Sequence, residues 1–293
     1  MTVKGSTAKK YTEVIFLLLQ AVLYILFLSL DITGGSIRLS TGIKYCVIIL
    51  CFFYALLSES GLKSIVFIYN KKKIESRKDS TVPRNIIIQD LFLQAGLFFT
   101  VISDLFILIL DYYFYGVLVF ILVQQFYSIR LAMKNAALKP SILKPGIWKS
   151  GRSRSGSNIF LPYLKRLLFQ SIASGILFLA LLICELSVDR LLVASVFYFV
   201  CILCNTFSSI RLANRDRSDK GNLLYGLGML LFLLCDINVG LFNLSGFINL
   251  PKDIERVIYS YSSILMWTFY APSQVLIALS KHYHKVERLY DTE

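Results

Sequence analysis

The 293-residue sequence predicts an all-α membrane protein, a bundle of eight transmembrane helices, and three observations carry that reading. Apolar residues make up 56% of the chain and charged ones only 17%, with a mean hydropathy of +0.65. A soluble domain is about half apolar and about a quarter charged. Several windows of about 20 residues are nearly free of charge, the length that crosses a ~30 Å hydrocarbon core. The Lys and Arg behind the net charge of +13 sit in short connections between apolar runs. Charge placed there sets topology and meets anionic headgroups, so the bilayer is the expected partner and nucleic acid is not.

Taken in order, the first span is Tyr11–Leu30, and it ends in the polar turn Asp31-Ile-Thr-Gly-Gly. Lys4, Lys9 and Lys10 precede it, but no small-residue cleavage site follows, so it reads as a membrane helix rather than a removed signal peptide. The second span is Ile43–Leu57. A basic loop with Lys63, Lys71, Lys72, Lys73, Arg77, Lys78 and Arg84 leads to the third, about Ile86–Leu110. A tight turn at Asp111–Tyr115 opens the fourth, about Tyr115–Met133. The stretch Lys134–Asn158 is rich in Lys, Arg, Ser, Gly and Pro, the composition of a flexible basic loop. The fifth span is about Tyr163–Leu186, with Lys165 and Arg166 at its start able to snorkel. The sixth is about Leu191–Ala213, the seventh about Leu223–Leu244 and the eighth about Val257–Ser280.

Basic residues concentrate at the N-terminus, in the connections after spans two, four and six, and in the C-terminal tail. The alternate connections hold few. The positive-inside rule puts both termini in the cytoplasm, which an even number of spans requires. The whole chain, residues 1–293, reads as one integral multi-pass domain, in the plasma membrane if the source is bacterial. Its oligomeric state is left open.

Phe126-Tyr-Ser-Ile-Arg-Leu-Ala and Phe207-Ser-Ser-Ile-Arg-Leu-Ala nearly repeat, 81 residues apart. That offset pairs Gln124 with Asn205 and Asp104 with Glu185. Spans three–four and five–six read either as copies of one helical hairpin, as in many membrane folds, or as chance similarity between apolar helices. All six cysteines fall inside the spans, where free thiols behave as small hydrophobes. Cys201-Ile-Leu-Cys204 has CxxC spacing but no partner pair. The two histidines, His282 and His284, lie in the tail, so no histidine cage for zinc is available within the spans, and no metal or other cofactor is expected. A Gly-x-Ser-x-Gly elbow, a phosphate loop and a serine triad are also absent.

Carboxylates inside hydrocarbon are costly and normally face a bundle interior or a water-filled cavity. Asp104, Glu185 and Asp236 are the three candidates. Asp104 precedes the turn at Asp111 by seven residues, as Asp236 precedes Asn243. At ~1.5 Å per residue both lie ~10 Å below the outer helix ends, so they meet at one depth if spans three and seven are neighbours. Two carboxylates in a low-dielectric site cannot both ionise easily, and a proton donor beside an anion is what acid–base chemistry needs. The competing reading is two neutral carboxyls hydrogen-bonded across helices to hold the bundle. Glu185, beside the Ser187–Arg190 connection, reads as reaching the interface. On the fourth span Gly116, Phe120, Gln124 and Tyr127 share one face. On the eighth, Tyr270 and Gln274 share a face around Pro272, which kinks a membrane helix and opens room for a ligand.

These residues resemble the YhhN-type lysoplasmalogenase family. The carriers are Gly96-Leu-Phe…Ser103-Asp104, then Gly116, Phe120, Gln124 and Tyr127; Gly226-x-Gly-Met-Leu-Leu-Phe-Leu-Leu-Cys-Asp236; and Tyr270-Ala-Pro-Ser-Gln274. The resemblance covers about Gly96–Ala132 and Gly226–Ser280, and the family's eight-span architecture matches the count above. It implies an integral membrane hydrolase that cleaves the vinyl-ether bond of lysoplasmalogens to a fatty aldehyde and a glycerophospho-headgroup. The lysophospholipid would be the substrate, Asp104 and Asp236 the catalytic carboxylates, and Tyr127, Tyr270 and Gln274 would line the site. Gln124 stands where the family usually has His, and Gln cannot take a proton at neutral pH. The alternative is a non-catalytic lipid-binding or proton-coupled carrier on the same fold, in which these carboxylates, with Glu185, bind a proton or a headgroup.

Overall fold

The computed structural model describes residues 3–57, 84–137, 160–183, 188–248 and 250–281. Among them eight helices are long and apolar enough to cross a membrane, and this is a multi-pass, all-helical membrane protein. They are α1 (Val3–Thr33), α2 (Ile37–Leu57), α3 (Arg84–Asp104, continued by a π turn over Leu105–Ile109), α4 (Tyr113–Ala137), α5 (Phe160–Ile183), α6 (Arg190–Arg215), α7 (Lys220–Phe242) and α8 (Lys252–Leu279). Apolar side chains on the outside, among them Leu18, Ile25, Leu168, Phe169, Ile176 and Phe207, are more than half exposed. In water that surface would be a liability; facing lipid it costs nothing, and the helices need only pack where they meet.

The closest seam is α7 against α8, and α4 packs between α3 and α6 while α6 also meets α7. Gly228 explains the α7–α8 approach: a Cβ there would stand 2.8 Å from Ile277 Cγ1 and 3.0 Å from the Ser273 carbonyl oxygen. Small residues let membrane helices approach backbone to backbone. Leu93, Leu97, Val123, Tyr127, Met229 and Phe232 fill the middle of the bundle with almost no exposed surface. α5 is peripheral and touches mainly α6.

Several boundaries differ from the sequence expectation. α2 begins at Ile37, six residues before Ile43, so the polar connection shrinks to Gly34–Ser36. Asp31 makes this workable by accepting from Ser40 Oγ at 2.5 Å and pairing with Lys44 at 2.8 Å. The Lys44 ammonium also lies 4.7 Å from the centre of the Trp267 ring, which ties the α1–α2 turn to α8. α4 runs four residues past Met133, because Lys134 is buried and donates to Asn222 Oδ1 at 2.7 Å instead of leaving for water. α8 begins at Lys252, five residues before Val257, while α5 is described over Phe160–Ile183, so its expected end at Leu186 lies outside the described residues. The turn between α3 and α4 is made by Asp111, with φ of +56°, a left-handed conformation that Asp tolerates better than most residues. Glu185, Cys184, most of the 134–158 loop, the basic loop around Lys71, and His282 and His284 lie outside the described residues.

Candidate active site

Asp104 is the last residue of α3 before the π turn. Its neighbour Ser103 donates to the Gly116 carbonyl oxygen at 2.6 Å. Gly116 has no Cβ for a reason: one would lie 2.3 Å from Ile107 Cγ1. This close α3–α4 contact turns Asp104 inward, where it is 3% exposed. There the Tyr270 hydroxyl donates to Asp104 Oδ2 at 2.7 Å. α8 positions Tyr270 two residues before Pro272, which has no N–H to offer the Thr268 carbonyl four residues back. That carbonyl takes the Tyr24 hydroxyl of α1 at 3.4 Å instead, so the proline is accommodated without an orphaned acceptor.

The second carboxylate is held in the same way by another pair of helices. Tyr198 of α6 donates to Asp236 Oδ2 of α7, again at 2.7 Å. Aromatic rings join the two tyrosine–aspartate pairs. Tyr270 meets Phe232 at 5.4 Å between ring centres, Phe232 meets Phe120 at 5.8 Å, and Phe120 meets Tyr198 at 5.7 Å. Phe232 precedes Asp236 by one turn of α7, so the apolar bridge and the carboxyl share a face. Asp104 is close enough for its charge to act on Asp236. They meet across the bundle interior, from helices that share no packed seam; α3 and α7 are not the neighbours that matching depth suggested. Each carboxyl spends one oxygen on its tyrosine, and the pair combines two acid–base groups with an apolar, aromatic wall.

The remaining sequence candidates form a layer nearer the basic loops. Gln124 is fully buried, and both its side-chain and backbone oxygens accept from Asn205 Nδ2, at 2.7 and 2.8 Å. The two positions related by the 81-residue offset therefore face each other across the α4–α6 seam. Gln124 is thus partnered by Asn205 rather than by a carboxylate. Tyr127 stands against Gly96, where a Cβ would come within 2.2 Å of the ring, and its ring meets Tyr225 at 5.9 Å. Its hydroxyl lies near Thr100 without reaching hydrogen-bond geometry. Gln274 is buried one turn from Tyr270, its Nε2 donating to Ser273 Oγ at 3.3 Å. Tyr270 is the one of these that touches an aspartate.

Two features escaped the sequence reading. Tyr198 looked like one more aromatic in an apolar span, and the signal was its position two turns before Asn205, on the same face. Arg130 was legible only as a letter of the repeated segment, although a fully buried arginine deep in a helix is itself informative.

No curated protein and no solved structure matches the chain. A family model described as the YhhN family matches residues 82–281. That stretch holds α3 through α8, including both aspartates and both tyrosines that bind them, and on this ground the chain belongs to the YhhN family.

Proposed function

We propose that the protein is a membrane hydrolase that cleaves the vinyl-ether bond of lysoplasmalogens. The observation that supports this most directly is the convergence of Asp104 and Asp236, each on its own tyrosine hydroxyl, around one aromatic-walled interior. One carboxyl keeps its proton and delivers it to the vinyl carbon remote from the ether oxygen, leaving an oxocarbenium ion. Asp236, which is only partly buried, is the donor because a substrate entering the interior reaches it first. The Asp104 carboxylate stabilises the cation and takes a proton from the attacking water, as paired carboxylates do in glycoside hydrolysis. The hemiacetal then collapses to a fatty aldehyde and a free glycerophospho-alcohol. One water is consumed and the catalytic protons are restored. The test is aldehyde release from a lysoplasmalogen by purified protein; Asp104→Asn and Asp236→Asn variants that both keep wild-type turnover would exclude this mechanism.

A second reading, a lipid-binding or proton-coupled carrier, is favoured by one position. Gln124 has no titratable group where the resemblance expects His, and its side-chain oxygen is engaged by Asn205. Lysolipid binding without turnover, or proton-coupled lipid flux in liposomes, would select that reading.

A further inference from the structure

About three turns from the aspartates toward the basic loops, two arginines converge on one tyrosine. Arg130 of α4 is fully buried, and its guanidinium rests 4.4 Å from the centre of the Tyr225 ring. Among the described residues none of its three nitrogens meets an acceptor in hydrogen-bond geometry; the Tyr225 hydroxyl, likewise without a well-formed bond, lies within its electrostatic reach. Arg166 reaches in from α5. It donates to Asn205 Oδ1 at 2.7 Å, while its Nε is buried without a partner. Both guanidiniums act electrostatically on Tyr225, and among the described residues the groups acting on Arg166 are two thiols and this phenol. Asp90 and Asp219 act on Lys134, and Asp90 on Lys281, both of which Arg130 also acts on.

A buried guanidinium with unused donors is expensive unless an anion meets it. Two guanidiniums that both act on Tyr225 suit a phosphate, which accepts paired N–H groups from arginine. We propose that Arg130 and Arg166, with the Tyr225 hydroxyl, bind the phosphate of a lipid headgroup, which enters beside α5 from the bilayer at the basic end. The entrance follows from exposure: Arg166 is only partly buried, and Leu164, Leu168 and Phe169 around it are 44%, 60% and 61% exposed. The chemistry suits the substrate class proposed above, and this inference rests on that reading; the charge bias that orients the chain sets the headgroup toward the cytoplasm.

The test measures binding to the full-length protein in nanodiscs of uncharged lipid, with three probes: a non-cleavable 1-O-alkyl lysophosphatidylethanolamine, the matching 1-O-alkylglycerol without phosphate, and inorganic phosphate. The expected result is at least about tenfold weaker binding of the lysophospholipid to Arg130→Gln and to Arg166→Gln, partial recovery in Arg166→Lys, and unchanged binding of the alkylglycerol. Arg166, being partly exposed and peripheral, keeps the test sound if the Arg130 variant fails to fold. Lysophospholipid binding within twofold of wild type in Arg166→Gln overturns the proposal. So does inorganic phosphate that competes as strongly as the lipid, since the site would then serve a free anion. If Arg166→Gln weakens lysophospholipid binding while the wild type releases no aldehyde, the hydrolase reading fails and the phosphate site stands.

Discussion

Asp104 and Asp236 receive the same hydrogen bond, a tyrosine hydroxyl at 2.7 Å on one carboxyl oxygen, yet their surroundings differ. Asp104 is walled in by the α3–α4 hairpin and α8 and is 3% exposed. Asp236 keeps partial access. Under the proposed hydrolase reading, matching bonds in unequal enclosures would divide the work: Asp236 gives the proton, and the field of the more enclosed Asp104 stabilises the cation. The largest expected effect tests whether both jobs are needed. Asp104→Asn and Asp236→Asn should each lower aldehyde release by about 10²–10⁴-fold, the usual worth of a positioned acid or base. Turnover surviving in one of them would show that the second carboxyl is structural.

The tyrosines sharpen the contrast. A hydrogen bond to a charged group is worth about 1.5–3 kcal/mol, so Tyr270→Phe and Tyr198→Phe should each cost roughly 10–100-fold in kcat. The Asp104 side has no solvent to replace the lost donor, so Tyr270→Phe should also lower the thermal unfolding midpoint, while Tyr198→Phe should leave it nearly unchanged. Equal midpoints would mean that exposure does not distinguish the two sides. A third variant acts on the frame they share. Gly228→Ala forces a methyl against Ile277 and the Ser273 carbonyl, and such overpacking costs about 1–3 kcal/mol. Thermal unfolding in detergent should report that loss, with reduced activity because α7 and α8 carry Asp236 and Tyr270.

A smaller effect lies at the basic end. Burial, partly offset by Asp90 and reinforced by Arg130, brings Lys281 down to about 8, and its ammonium donates to the Ala55 carbonyl at 3.0 Å. Between pH 8 and the ordinary lysine value of 10.5 the unfolded chain binds more protons than the folded one, so stability rises with pH in that window. Below pH 8 both states hold the proton and this contribution is flat. Lys281→Met should show a smaller rise in melting temperature between pH 8 and 10. Least of all, Gln124→His should add no new limb to the pH profile of kcat, since the side chain at this position faces Asn205 rather than the aspartates.

The helices and the two aspartates were legible because a bilayer makes strict demands: about 20 apolar residues per crossing and a reason for every carboxylate inside. The ends of helices were less legible. Lys134 looked like the start of a loop, but Asn222 lets its charge stay in the bundle. What pairs with what was hardest to read. Matching depth suggested that α3 and α7 touch, whereas the carboxyls approach through rings from α4, α6, α7 and α8. Tyr198 was hidden because tyrosine is common in apolar spans, and only its hydroxyl's target reveals its part. Gln124 shows the reverse, a position prominent in the family pattern whose partner is an amide on the helix at the 81-residue offset.

The π turn after Asp104 bears on how this chain tolerates insertion and deletion. Leu110 N–H reaches back five residues to the Leu105 carbonyl, at 3.1 Å, so the segment carries one residue more than an α-helix needs to close the same ring. Upstream of it, α3 keeps the phase that turns Ser103 and Asp104 inward; downstream, the wider turn re-aims the chain toward Asp111. Removing a single residue from Leu105–Ile109 would close the turn to an ordinary α-helix and leave Asp104 in register. Removing one residue before Asp104 would rotate the carboxylate about 100° away from Tyr270. A stretch of helix that elsewhere could not lose a letter has, just beyond its acid, one to spare.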